Sequence, residues 1–116
     1  MAAFVFVFRG GAYATPSLSP TEIQAHLMKW RTWINELIAS GHHKAENGVP
    51  LESGGRTVRG TAKTVSDGPY AESKDLVTGS MLIDAPSLDA ATELARGCPV
   101  YEYSGSVEVR PVRSYV

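Results

Sequence analysis

Along residues 2–9 the chain sets Phe4, Phe6 and Phe8 on one side of an extended backbone and Val5 and Val7 on the other. Successive side chains of a strand point to opposite faces. Aromatic and β-branched residues on both faces therefore describe a strand that is covered on both sides. The period then changes. Ile23, Leu27, Trp30, Ile34 and Leu37 recur at three- and four-residue spacing, which gathers them on one face of a helix. His26 and Trp33 lie on one flank of that stripe, with Lys29, Arg31, Asn35 and Glu36 on the far side. Ser19 is placed to cap this helix, Pro20 suits its first position, and Glu22 completes a capping box. Gly41 marks its end.

The later pattern is shorter in range. Residues 42–53, with Gly48-Val49-Pro50 among them, read as a polar loop. Residues 56–59 and 62–66 predict a hairpin turning near Gly60. Residues 77–84 form the next strand, with Val77, Met81 and Ile83 on one face. Ser87 caps a second helix whose Leu88, Ala91, Leu94 and Ala95 face the sheet, and Gly97 ends it. Residues 106–112 form the last strand.

The order is strand, helix, hairpin, strand, helix, strand. Helices segregated to one face of a largely antiparallel sheet give an α+β, ferredoxin-like two-layer sandwich. Two helices cover one sheet face, so the Val5 and Val7 side needs another cover. A homodimer that pairs two such faces, forming a dimeric α/β barrel, is the expectation.

Composition narrows the partners. At 116 residues the chain fits a single domain spanning residues 1–116. A net charge of −1 with scattered Lys and Arg argues against nucleic acid, which calls for a basic stripe. The longest apolar run, residues 2–8, is far short of the ~20 residues that span a membrane and lacks a signal peptide's basic start. The single cysteine, Cys98, cannot form an internal disulfide and suits a cytoplasmic location.

The chemistry concentrates in residues 67–75, Asp67-Gly68-Pro69-Tyr70-Ala71-Glu72-Ser73-Lys74-Asp75. A loop this rich in ionisable and special-backbone residues is where sites tend to sit. Asp67 has two open readings: a turn-forming side chain bonded to nearby amides, or a carboxylate aimed into a cleft. Tyr70 lines a pocket or anchors the loop. Glu72 and Lys74 contact a charged ligand or are simply solvated. His26 suits proton transfer at neutral pH, or packs on the helix flank beside Trp30 and Trp33. Glu108 and Arg110 alternate with Val107 and Val109, so the two charges share a sheet face, where they pair with each other, a second subunit or an anionic ligand. His42, His43 and Glu46 do not amount to a metal site; adjacent histidines at a helix end act as cations near its last carbonyls. Cys98 reads as a small buried filler. No phosphate loop, nucleophile elbow or haem motif points to a cofactor.

Residues 67–75 also resemble the signature Asp-Gly-Pro-Phe-Ala-Glu-Thr-Lys-Glu of the DGPF group of the YCII-related family. The Phe/Val first strand, His26-Leu27, Gly48 with Leu51, and Ser106-Val107-Glu108-Val109-Arg110-Pro111-Val112 extend the likeness over nearly the whole chain. The resemblance implies a dimeric α/β barrel with a cleft between sheet and loops. It also implies a His-Asp active site, which puts His26 with Asp67 beside Tyr70, and a regulatory setting near alternative sigma factors in some relatives. Thr78-Gly79-Ser80 departs from the Gly-Gly-aromatic common in the family, and Cys98-Pro99 stands where many relatives have Asp-Pro. The expected function is a small-molecule cleft run as a cofactor-free acid-base enzyme by His26 and Asp67, with Tyr70, Glu72, Lys74 and Arg110 as ligand contacts. The alternative is a non-catalytic ligand-binding or regulatory protein.

Overall fold

The protein is described here by a computed structural model covering residues 1–69 and 75–114. β1 (Ala2–Arg9) lies inside a four-stranded antiparallel sheet. Its neighbours are β5 (Val77–Ala85) and β6 (Ser106–Pro111), and the short β2 (Gly48–Pro50) edges β5, giving the order β2-β5-β1-β6. Two helices, α1 (Pro20–Ala39) and α2 (Leu88–Arg96), complete a strand-helix-strand-strand-helix-strand path. The fold is α+β, and this strand order is that of a ferredoxin-like sandwich.

Register explains which face is dry. Phe4, Phe6 and Phe8 stand opposite Ile83, Met81 and Gly79 on one side and Pro111, Val109 and Val107 on the other, so all share a face. The helices cover that face. Trp33 lies nearly parallel to Phe6 with ring centres 6.2 Å apart and meets Phe8 edge-on. Leu37, Ala91 and Ala95 fill the remaining space. Full burial of such side chains is worth about 1.5–3 kcal/mol each for the larger ones. The capping box forms as expected, with the Ser19 hydroxyl accepting from the Glu22 amide and the Glu22 carboxylate from the Ser19 amide, both at 3.1 Å.

Three local expectations change. Gly48–Pro50, read as loop, is the edge strand β2. The hairpin forms as β3 (Arg56–Arg59) and β4 (Thr64–Asp67), but as a separate two-stranded sheet. Its turn is held by the Lys63 amide donating to the Gly60 carbonyl at 3.0 Å, with both residues at positive φ. A 3-10 turn over Pro99–Tyr103, absent from the sequence reading, follows α2 and carries Glu102 to the flank of α1.

Among the described residues, no helix covers the opposite sheet face. Val5 and Leu82 stand side by side on it, as do Val7 and Ser80, with Glu108 opposite Val7 and Arg110 opposite Val5. Glu108 is bracketed there by Arg9 at 3.2 Å and Arg110 at 3.7 Å.

Candidate functional site

The apolar stripe of α1 is not spent entirely on the core. His26, Trp33 and Leu37 are buried, while Leu27, Trp30 and Ile34 are only half-buried. Those three wall a cleft of about 420 Å³, whose other sides come from Phe8, the Gly10-Gly11 turn and Met81. The segment running from His43 into β2 closes it. The lining is overwhelmingly apolar, with histidines at two points. Both volume and character suit a small organic ligand.

His26, 1% exposed, borders this cleft at the head of a polar chain. The Trp30 indole N–H donates to His26 Nε2 at 2.9 Å, one helical turn away. Nε2 must therefore be the bare nitrogen, and the ring proton sits on Nδ1, which donates to Glu102 Oε1 at 3.0 Å. Lys29 Nζ donates to the other oxygen of Glu102. First the Lys29 bond and then the His26 bond hold the Glu102 carboxyl below its ordinary value, and the same carboxylate raises the Lys29 ammonium. Tyr103 packs edge-on to the imidazole with ring centres 4.8 Å apart. Both nitrogens of His26 are thus engaged, one by a fixed donor and one by a carboxylate.

Glu102, and not Asp67, is the carboxylate that His26 meets. Asp67 ends β4 with a side chain 97% exposed, facing Arg56 at 3.6 Å, and does not line the cleft. Its neighbour Gly68 takes a positive φ of 77° and donates to the Gly55 carbonyl. The hairpin that carries Asp67 is separate from the main sheet, which is why the expected pairing with His26 is not made. Arg110 lies on the helix-free face, 69% exposed beside Glu108, and is likewise absent from the cleft lining. Tyr70, Glu72 and Lys74 lie outside the described residues.

His42 and His43 also differ from expectation. Their rings bond the edge of β5, while the His42 amide alone donates to a last-turn carbonyl of α1, that of Leu37, at 2.9 Å. His42 Nδ1–H donates to the Asp84 carbonyl at 2.7 Å while the Asp84 amide returns a bond to the His42 carbonyl. His43 Nδ1–H donates to the Leu82 carbonyl at 2.8 Å. Together they satisfy strand-edge groups beyond the reach of the three-residue β2. Among the described residues no cluster of three or more His, Cys, Asp or Glu has the geometry of a metal site. Cys98 is buried, as expected, and burial pushes its thiol up to about 12. No helix among the described residues is long and apolar enough to cross a membrane.

A ferredoxin-like α+β domain with an apolar cleft between its first helix and its sheet is the class defined by fold and site. Residues 11–115 match the YCII-related domain, and the chain belongs to that family. It is similar to an uncharacterized protein of Rhizobium meliloti (strain 1021), with 48% identity over 52 residues. That segment covers 44% of this chain and 42% of the relative, so the likeness spans less than half of either protein.

Proposed function

We propose that this protein binds an apolar small molecule in the cleft between α1 and the sheet, as a binding or regulatory domain. The observation that carries the reading is the cleft itself. Leu27, Trp30 and Ile34 sit on the face of α1 where core contacts belong, yet they border about 420 Å³ of open space. Apolar wall left facing water in an open cleft forgoes the benefit of burial, and a bound ligand recovers it. Engagement of both His26 nitrogens supports binding over proton transfer by that residue, since a general base needs a free lone pair aimed at the substrate.

The test uses 1-anilinonaphthalene-8-sulfonate, whose emission rises in apolar surroundings, together with Leu27→Trp, which fills the cleft from α1. Saturable binding at about one site per chain, abolished in Leu27→Trp at unchanged folding, is the expected result. Binding that is non-saturable or indifferent to Leu27→Trp refutes the reading.

We further propose a homodimer through the helix-free face, closing a dimeric α/β barrel. Val5, Val7 and Leu82 on that face support it, as do Val58 and Val65, an exposed cross-strand pair on the detached hairpin. A two-stranded hairpin is marginal alone and gains from a second surface. Glu108 between Arg9 and Arg110 would be desolvated in that contact, where ion pairs need their partners. Sedimentation velocity at micromolar concentration should show a dimer that Arg110→Ala shifts toward monomer; a wild-type monomer removes the proposal. The lone thiol supports a reducing compartment such as the cytoplasm.

A further inference from the structure

Within the proposed binding cleft, on which this inference rests, one polar group is left with unused hydrogen-bonding capacity. His43 is 5% exposed and lines the cleft. A carbonyl only accepts, so the bond from Nδ1 to the Leu82 carbonyl at 2.8 Å fixes the proton on Nδ1. Nε2 of the neutral ring is then a bare acceptor, and it has no hydrogen-bond partner among the described residues. Glycine at position 48 keeps the approach to it open: a Cβ there would stand 3.6 Å from Nε2.

Among the described residues, the other polar side chains around the cleft are committed or turned away. Both His26 nitrogens are engaged. The Thr78 hydroxyl bonds the Gly10 carbonyl at 3.1 Å. Ser80 stands opposite Val7, on the helix-free face of the sheet. Tyr13 lies at the rim, well exposed. Nε2 opens onto the cleft, so a ligand that displaces water there keeps the hydrogen bond only if it supplies a donor, and one without a donor leaves the acceptor stranded.

We propose that His43 Nε2 reads the one polar group of an otherwise apolar ligand, and that this group is a hydrogen-bond donor of the phenol or alcohol class. The aromatic walls, Phe8 and Trp30, suit a ring, and the fixed tautomer selects a hydroxyl over an ether. A site built around a hydrogen bond rejects the analogue lacking it more strongly than an apolar wall rejects an extra group.

The experiment compares 2-naphthol with 2-methoxynaphthalene, which share the ring system and differ in the donor. Calorimetric titration of the wild type should favour 2-naphthol by on the order of tenfold, the worth of one such hydrogen bond. His43→Asn keeps an amide donor where Nδ1 was and deletes Nε2, so the preference should collapse while 2-methoxynaphthalene still binds. Gly48→Ala leaves His43 and its bond to Leu82 untouched but sets a methyl against Nε2, and the preference should fall there too. It carries the test if His43→Asn does not fold. Equal affinity for the two probes in the wild type overturns the assignment of His43 and leaves the cleft standing, as does a preference that persists in the variants. Failure of both probes to bind the wild type overturns the cleft reading and this inference together.

Discussion

Replacing His26 with leucine isolates the cost of breaking the Trp30–His26–Glu102 chain. Leucine is close to the imidazole in volume, so packing loss stays within about 1.5 kcal/mol. The larger effect falls on Trp30. Its indole N–H, which donates to His26 Nε2 at 2.9 Å, is left beside an alkyl group. A stranded donor in a partly buried setting costs about 1–3 kcal/mol. Glu102 contributes little to the loss, because it faces water and keeps Lys29. The expected destabilisation is therefore about 2–3 kcal/mol, which in a domain of this size lowers Tm by roughly 6–12 °C. Thermal unfolding followed by near-ultraviolet circular dichroism reads both the midpoint and the tryptophan environment. Trp30→Phe supplies the control: phenylalanine has no donor to strand, so adding His26→Leu to it should cost about 1 kcal/mol less than adding it to the wild type. If His26→Leu melts within about 2 °C of the wild type, or its cost is the same in both backgrounds, the imidazole is not the acceptor that Trp30 depends on.

Two other substitutions bear on the same framework. The Glu102 carboxyl is held below its usual 4.5 by Lys29 and then His26, so its contribution to stability is present above that value and lost as pH falls through the folded value. Urea midpoints measured from pH 6 downward should therefore fall more steeply for the wild type than for Glu102→Gln in the acid range; parallel curves contradict the ion-pair reading. Gly105→Ala should destabilise strongly, by about 2–3 kcal/mol or more, because its Cβ would stand 2.3 Å from Val100 Cγ2 and 2.9 Å from the Arg9 carbonyl. Gly54→Ala, with nothing within 4 Å, is the neutral control, and equal midpoints for the two variants in denaturant titration would show that the 3-10 turn packs differently.

The parts of this fold that were legible from sequence are those whose burial repeats. The Phe4, Phe6, Phe8 alternation and the α1 stripe each carry a period set by backbone geometry; the strand appears where expected, and the helix does too, but its buried face is turned toward the flank that carries His26 and Trp33. β2 has no period to read: three residues, one a glycine and one a proline, form an edge whose pairing is decided by β5. The partner of His26 was hidden for a related reason. Glu102 lies 76 positions away in a 3-10 turn of five residues, too short for a periodic signature. Asp67 stood out because its loop is unusual in composition, and composition does not report which side chains meet. The adjacent histidines were misread through proximity to a helix end; what their rings bond is the strand edge that β2 is too short to cover.

The cleft owes its existence to backbone as much as to side chains. At Gly79 a Cβ would stand 3.0 Å from the Val49 carbonyl, so β2 approaches β5 this closely only because position 79 carries no side chain. The same absence leaves the space beside Phe8 unfilled, at the point where Gly79 pairs with Pro50 on the edge. The glycine that permits the edge strand thus also opens the floor of the cleft. Gly48, on the facing strand, does the same for the approach to His43. Larger side chains at 48 and 79 would meet the ring of His43 in one case and the backbone of β2 in the other. The helix side is freer, since Leu27, Trp30 and Ile34 also border open volume, although Trp30 and Ile34 pack partly on the core. In the proposed binding reading, ligand size would be set by what α1 presents, and ligand polarity by the ring that the edge of β5 holds in place.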